Sequence, residues 1–360
     1  MSIKSRMEIK DLQPYKPGKP VEDVQREYGL DKVIKLASNE NPLGCSPKVK
    51  EAISNTFKDL SIYPDGNATK LKEKLAEFLG VKADEILPTN GLDEMIDLVA
   101  KTYVNKGDEV IMADVTFPRY IQTTEMMGGT PVIVPLKDFT FDLDGILSKI
   151  TDKTKMIWIC NPNNPTATIV TEDEIVKFFN KVPEDVLILY DEAYREYATS
   201  EDYPHDSIKF LKDYPNLLVM RTFSKVYGLA GIRVGYTVGD KGIIENRNKV
   251  RGPFNVNILA LEAAVAALKD TDFVKQSYDL NLEGKNYLFE EFDKMDFFYT
   301  PSETNNIFVN VGMNGQEVFV EMQKKGVIIR PMAGDFIRVS IGTMEENKIF
   351  IETLKEVLNK

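Results

Sequence analysis

The chain has 360 residues, 43% of them hydrophobic, enough to bury a large core and to build one large domain plus a smaller one. Its formal net charge of −11 leaves no basic stripe to neutralise a polyanion, so nucleic acid is not an expected partner and any phosphate must be held locally. One histidine, His205 in a polar turn-like stretch, and two cysteines, Cys45 and Cys160, exclude or weaken serine–histidine triads, zinc sites of several histidines and a disulfide framework.

The first residues lack the apolar core of a signal peptide, and no stretch approaches the roughly 20 apolar residues that span a bilayer. A cytoplasmic protein with no membrane partner is the expectation. Residues 1–35 read as an irregular arm, since Pro14, Pro17 and Pro20 prevent a long helix, with a short helix over 21–28. Leu36-Ala-Ser-Asn-Glu-Asn-Pro-Leu-Gly44 is a polar, turn-rich loop of the kind that carries function inside compact enzymes. Helical spacing follows over 47–58 and 68–79, then a short strand at 86–88, a turn, and an amphipathic helix over 92–104 with Asp93 and Glu94 in its first turn. Strands are expected at 110–113, 131–134, 156–160, 186–190, 217–220 and 233–238. Several are unbroken apolar runs, which implies an α/β fold whose mainly parallel sheet is covered by helices on both faces and whose ligands sit at the carboxyl ends of strands.

After about Arg247 the pattern changes to a long helical region over 257–292, strands at 297–299, 306–310, 327–330 and 336–341, a helix over 316–325 and a final helix. This reads as a smaller α+β domain. The expected division is an arm (1–35) packed on the small domain, a large domain (36–247) and a small domain (248–360), with the substrate in the cleft between them.

Lys225 follows an apolar strand and is flanked by Ser224 and a glycine-rich loop that ends at Arg233. An amine there suits covalent chemistry on a carbonyl, and the hydroxyl and guanidinium suit a phosphate. Asp191 closes a strand and can pair with a cationic ring nitrogen. Asn161, in Asn161-Pro-Asn-Asn-Pro-Thr166, closes another and could donate its amide to a ring oxygen. Thr89-Asn90-Gly91-Leu92-Asp93 puts free N–H groups of a helix start where they can bind phosphate.

These stretches, with Tyr63-Pro-Asp-Gly66, Asp191-Glu-Ala-Tyr194 and Phe336-Ile-Arg-Val-Ser-Ile-Gly342, resemble the class I/II aminotransferases of pyridoxal-phosphate fold type I. Within them the chain most resembles the histidinol-phosphate aminotransferases. The resemblance runs in family order over nearly the whole chain. It implies that Lys225 carries pyridoxal 5′-phosphate as a Schiff base and then acts as general base. It further implies that Asp191 pairs with the pyridinium nitrogen, that Asn161 and Tyr194 bond the phenolic oxygen, and that Leu92, Asp93, Thr222, Ser224 and Arg233 hold the phosphate. Phe117 stacks on the ring by the same reasoning, with Tyr120 as its rival. Tyr63 would reach the neighbouring subunit's cofactor in a homodimer. Arg338 would clamp the substrate carboxylate, and Tyr15, Asn41 and Arg330 would surround the rest of the substrate, Tyr15 and Arg330 near its phosphate. The implied reaction converts L-histidinol phosphate and 2-oxoglutarate to imidazole acetol phosphate and L-glutamate in histidine biosynthesis. Aromatic amino acid transamination and threonine-phosphate decarboxylation are the alternatives.

Two departures stand out. Ala167 occupies a position where the family usually has glycine, tolerable if the backbone there avoids a glycine-only conformation. The loop 331–335 between the two arginines is shorter than usual and could reshape the substrate side of the pocket.

Overall fold

The computed structural model describes residues 3–10, 12–14 and 18–359. Its strands, in chain order, are β1 (Ile34–Lys35), β2 (Ile86–Thr89), β3 (Glu109–Ala113), β4 (Thr130–Val134), β5 (Thr154–Cys160), β6 (Leu187–Asp191), β7 (Leu217–Thr222), β8 (Gly235–Gly239), β9 (Asn306–Asn310), β10 (Val327–Ile328), β11 (Arg330–Pro331) and β12 (Phe336–Ser340). Seven of them form one sheet in the order β2-β8-β7-β6-β5-β3-β4, parallel except for β8. Every residue of β6 and β7 is buried, as is all but one of β5. Both faces of those strands are therefore covered, which is why their sequences are continuous apolar runs and not alternating ones.

Helix starts are locally encoded. Thr171 with Glu174 and Thr343 with Glu346 form capping boxes, and Ser46 caps a helix whose first residue is Pro47. A second core gathers on the antiparallel sheet β11-β12-β9 and the helices Thr271–Lys294, Gly315–Lys324 and Met344–Leu358. The short strand β1 joins it by pairing with β10.

Three expectations about organisation are corrected. The helical region 257–292 is two helices, Ile258–Ala267 and Thr271–Lys294, because the Asp270 carboxylate leaves the helical path to bind the Ser46 hydroxyl and the Lys48 ammonium. The first of the two packs in the larger core through Ala260, Ala263 and Ala264, so that core extends past the boundary expected at 247/248. The arm divides its contacts. Val24 packs with Ile328, as expected of an arm on the small core, but Arg6 donates to the Met126 carbonyl and Gln13 accepts from Gln122 on the larger one.

Ala167 is buried with φ +62°, a left-handed conformation, so the condition for tolerating it without strain is not met. Its N–H bonds Asn163 O at 2.8 Å and its carbonyl accepts from Glu303 at 2.8 Å, which hold the conformation in place. Left-handed backbone costs a non-glycine residue about 1–2 kcal/mol, more than the roughly 0.5–1 kcal/mol of unfolded-state entropy that glycine adds. Ala167→Gly is therefore expected to stabilise the chain by about 0.5 kcal/mol in urea unfolding, and a loss of stability would show that the methyl packing outweighs the strain.

Candidate active site

Because β8 runs antiparallel to both β2 and β7, β2 points the same way as the parallel strands. The carboxyl ends of β2, β3, β5, β6 and β7 therefore meet on one edge, where they floor a cavity of about 470 Å³. Leu92 and Asp93 come from the start of the helix after β2, Phe117 from the turn after β3 and Asn164 from that after β5. Asp191 and Tyr194 come from the end of β6, and Thr222, Ser224 and Lys225 from that of β7. Across from them, Ala37 to Asn39 of the arm loop and Arg330, Met332, Ala333 and Arg338 of the smaller sheet complete the wall.

Asp191 is buried, and its carboxylate accepts Tyr120 Oη at 2.6 Å and the Ala193 N–H at 3.0 Å. Burial pushes its pKa up to about 6 despite those bonds. Tyr120 is itself immobilised, stacked on Trp158 with ring centroids 4.1 Å apart, and does not reach the cavity. Phe117 does line it, so the two aromatic rivals separate into a cavity wall and a brace for Asp191. Lys225 Nζ bonds the Ser38 carbonyl at 3.3 Å and lies 5.4 Å from the Tyr194 ring centroid. Burial, followed by the neighbouring Arg338 charge, lowers its pKa to about 8. Behind this floor the buried pair Arg221–Glu192, 2.8 Å apart, ties the end of β7 to the end of β6.

An anion cradle lies at one end. The helix Gly91–Tyr103 starts here without a side-chain cap, leaving first-turn N–H groups for a ligand. Arg233 Nη2 lies 3.0 Å from Asp93 Oδ2 and packs so close to Gly91 that a Cβ there would be 2.5 Å from it. Gly228 is required for a different approach, since a Cβ on it would sit 1.7 Å from the Gly44 carbonyl oxygen and push the lysine loop off the arm loop.

On the opposite side, Arg330 and Arg338 are cross-strand partners on β11 and β12, hence neighbours on one face. Arg338 donates to Asn164 Oδ1 at 2.7 Å and to the Ala37 carbonyl. Met332 and Ala333 of the short loop add an apolar wall beside them.

Three expected site residues are placed elsewhere or not at all, and Tyr63, expected at a neighbouring subunit's site, lies away from the cavity of its own chain. Asn161 lies outside the cavity: its amide exchanges two 3.0 Å bonds with Val170 and donates to Tyr190 Oη at 2.7 Å. Asn164, three residues on, lines the cavity instead and donates to Tyr194 Oη at 3.2 Å. Asn41 is buried in bonds to the Val226 carbonyl and Ser277 hydroxyl, each 2.8 Å, so Asn39 takes the cavity position in that loop. Tyr63 is 79% exposed, stacked on Phe254 away from the cavity of its own chain. Tyr15 lies outside the described residues.

The raised pKa of Asp191 fixes a sign. The folded chain holds the Asp191 proton up to about pH 6, whereas the unfolded chain releases it near 4, so this group takes stability away as pH rises through that window. For cofactor-free protein, Asp191→Asn is expected to gain stability relative to wild type from about pH 4 to about pH 6 and to hold the gain above. Unfolding midpoints measured across that range check this, and a pH-independent difference contradicts it.

The comparisons with known proteins agree with one another. The sequence profile described as "Aminotransferase class I and II" matches residues 31–354. Histidinol-phosphate aminotransferase of Moorella thermoacetica is 47% identical over 361 residues, covering 99% of this chain and 93% of that one. Its namesake from Caldicellulosiruptor saccharolyticus is 47% identical over 356 residues, covering 97% and 99%. The crystal structure of histidinol-phosphate aminotransferase from Sinorhizobium meliloti in complex with pyridoxal-5′-phosphate matches with a TM-score of 0.92 at 29% identity, covering 99% of both chains. A profile that spans both cores and a fold match over the full length lead to one conclusion: the chain belongs to the class I and II aminotransferase family, with its fold type I architecture.

Proposed function

We propose that the chain transfers an amino group between L-histidinol phosphate and 2-oxoglutarate, using pyridoxal 5′-phosphate held in the cavity at the strand ends. The observation that carries this reading is the directly opposed pair Arg330 and Arg338 on the cavity wall. Two guanidiniums at neighbouring positions of one wall concentrate positive charge where an anion can bind. Histidinol phosphate has a phosphate and no carboxylate, and two guanidiniums together suit such a dianion. 2-Oxoglutarate and glutamate carry two carboxylates, one for each arginine. One wall thus serves both half-reactions. The relatives named above add support through their names and near-complete coverage.

The residues present fit the cofactor. Asp191 is a buried carboxylate at the cavity floor whose pKa is raised by burial, so a cationic ring nitrogen supplies the partner that desolvation demands. Arg233, Ser224, Thr222 and the N–H groups of Leu92 and Asp93 would hold its phosphate, Phe117 would cover its ring, and Tyr194 with Asn164 would face its phenolic oxygen. When bound, pyridoxal 5′-phosphate supplies the electron sink for the carbanion at the substrate Cα. Lys225 supplies the amine. With its pKa near 8, a sizeable fraction is neutral at the pH of cytoplasm, and a neutral Nζ can attach to a carbonyl carbon or take the proton from Cα. Arg338 fixes the substrate anion and so orients Cα toward that base.

The complete site is proposed to be a homodimer's. Tyr63, Phe254, Phe57, Leu60 and Ile62 expose 79, 44, 57, 56 and 65% of their surfaces, a concentration of large apolar side chains that suits a subunit contact. Both cysteines are free and no helix among the described residues is long and apolar enough to cross a membrane, which accords with a cytoplasmic place of work.

Turnover on histidinol phosphate, phenylalanine and threonine phosphate by cofactor-loaded protein tests the reading. Wild type is expected to prefer histidinol phosphate, and Lys225→Ala to abolish turnover. Arg330→Ala should lower kcat/KM on histidinol phosphate by about 10- to 100-fold, the worth of a charge-assisted bond, while kcat/KM on phenylalanine, into which the 2-oxoglutarate half-reaction does not enter, changes far less. Equal losses on both substrates would remove the phosphate role from Arg330. Tyr63→Ala should weaken both self-association in sedimentation and cofactor retention, and an unchanged dimer with unchanged retention would refute the shared site.

A further inference from the structure

The amides around Tyr194 leave its hydroxyl a single role. Tyr194 Oη lies 3.0 Å from Asn39 Nδ2 and 3.2 Å from Asn164 Nδ2. Which end of each amide faces the phenol is decided by partners that can act in one sense alone. The Pro165 carbonyl can accept but not donate, and it takes Asn306 Nδ2 at 3.1 Å, so Asn306 turns its oxygen to Asn39 Nδ2 at 2.8 Å. The Arg338 guanidinium can donate but not accept, and it takes Asn164 Oδ1, so Asn164 turns its nitrogen to the phenol. Asn39 Oδ1 accepts the Ser340 hydroxyl at 2.9 Å, while that hydroxyl accepts the Asn39 N–H at 2.8 Å. Both hydrogens on Asn39 Nδ2 are then committed, one to Asn306 and one to Tyr194.

The phenol oxygen accordingly accepts two N–H bonds, and its one hydrogen must point away from both amides. Burial keeps that hydrogen in place by raising the phenol well above its ordinary pKa. Asn39 is held for this task in a left-handed backbone conformation, φ +55°, which asparagine tolerates better than most residues. Its carbonyl is pinned by Asn305 Nδ2 at 3.0 Å.

We infer that Asn39 is a positioning residue that locks Tyr194 as a hydrogen-bond donor into the cavity, toward the phenolic oxygen of the bound cofactor. The inference rests on the cofactor reading above and adds to it a residue that acts through Tyr194. Without Asn39, one acceptor position of the phenol is vacated, and its hydrogen can turn away from the cavity.

The experiment uses holoenzyme loaded with pyridoxal 5′-phosphate and reads the pH midpoint of its visible absorption change, a property of the ring oxygen's surroundings. Asn39→Gly removes the side chain while keeping the left-handed backbone, and Ser340→Ala loosens Asn39 with less risk to folding. Each is expected to raise the midpoint, Asn39→Gly by about one-half to one pH unit, because the deprotonated form loses a hydrogen bond. In a Tyr194→Phe background neither should move it further, since the relay then has nothing to orient. Variants that leave the midpoint where it was, or that shift it equally with and without Tyr194, overturn the inference. A wild-type chain that gains no visible band overturns the cofactor reading and this inference with it, whereas a normal wild-type band with unmoved variants overturns this inference alone.

Discussion

The electrostatics of one cavity organise this molecule. Asp191 is buried with a phenol and a peptide N–H as hydrogen-bond partners, while Lys225, Arg233, Arg330 and Arg338 face the same space. Burial resists the charge on Asp191, and burial together with Arg338 resists the charge on Lys225. Arg330 and Arg338 oppose each other across two strands. Burial of Asp191 and of Lys225 opposes folding slightly, and a ligand of the opposite sign would relieve it. A cationic ring nitrogen, a phosphate and a substrate anion are the complement of this pattern, so binding supplies what the fold withholds.

Holding such a pattern requires the two cores to be joined at the cavity and not merely beside it. The segment 300–306 of the smaller core performs the joining. Thr300 donates to the Thr166 carbonyl, Asn306 to that of Pro165 and Asn305 to that of Asn39. The Ser340 N–H adds a bond to Leu36 at 2.8 Å. Loop 161–167 is thereby clamped from above, which also accounts for Ala167 persisting in a left-handed conformation: its carbonyl is one of the clamped groups. Lys285, buried on the helix Thr271–Lys294, spends its ammonium on the Ser302 carbonyl and stiffens the same segment.

Much of this was legible in the sequence, for physical reasons that also mark where legibility ended. Unbroken apolar runs identify strands covered on both faces, and Lys225 and Asp191 stand out because they sit where such runs stop. Asn161 stops a run as well, but its N–H still bonds Asp191 O at 2.9 Å, so it is the last rung of the ladder and its side chain is consumed in holding Val170. Two Asn-Pro pairs three residues apart give spacing no means to choose between Asn161 and Asn164. In the arm loop, Asn39 has a positive backbone φ of +55° and Asn41 does not, a difference that no periodicity reports. Phe117 and Tyr120 are separated by the stacking of Tyr120 on Trp158, a contact between distant segments. The helix Ile258–Ala267 is so uniformly apolar that it shows no favoured face, and its sequence could not say which core would receive it.

One residue ties the substrate side to the cofactor side. Arg338 faces the cavity, where the proposed substrate anion would lie, and the same guanidinium sets the orientation of the Asn164 amide beside Tyr194. A lysine there could still supply charge, but as a point donor it would lack the fork that reaches Asn164 and the Ala37 carbonyl together. The planar guanidinium is thus used twice over, once facing the cavity and once orienting the Asn164 amide.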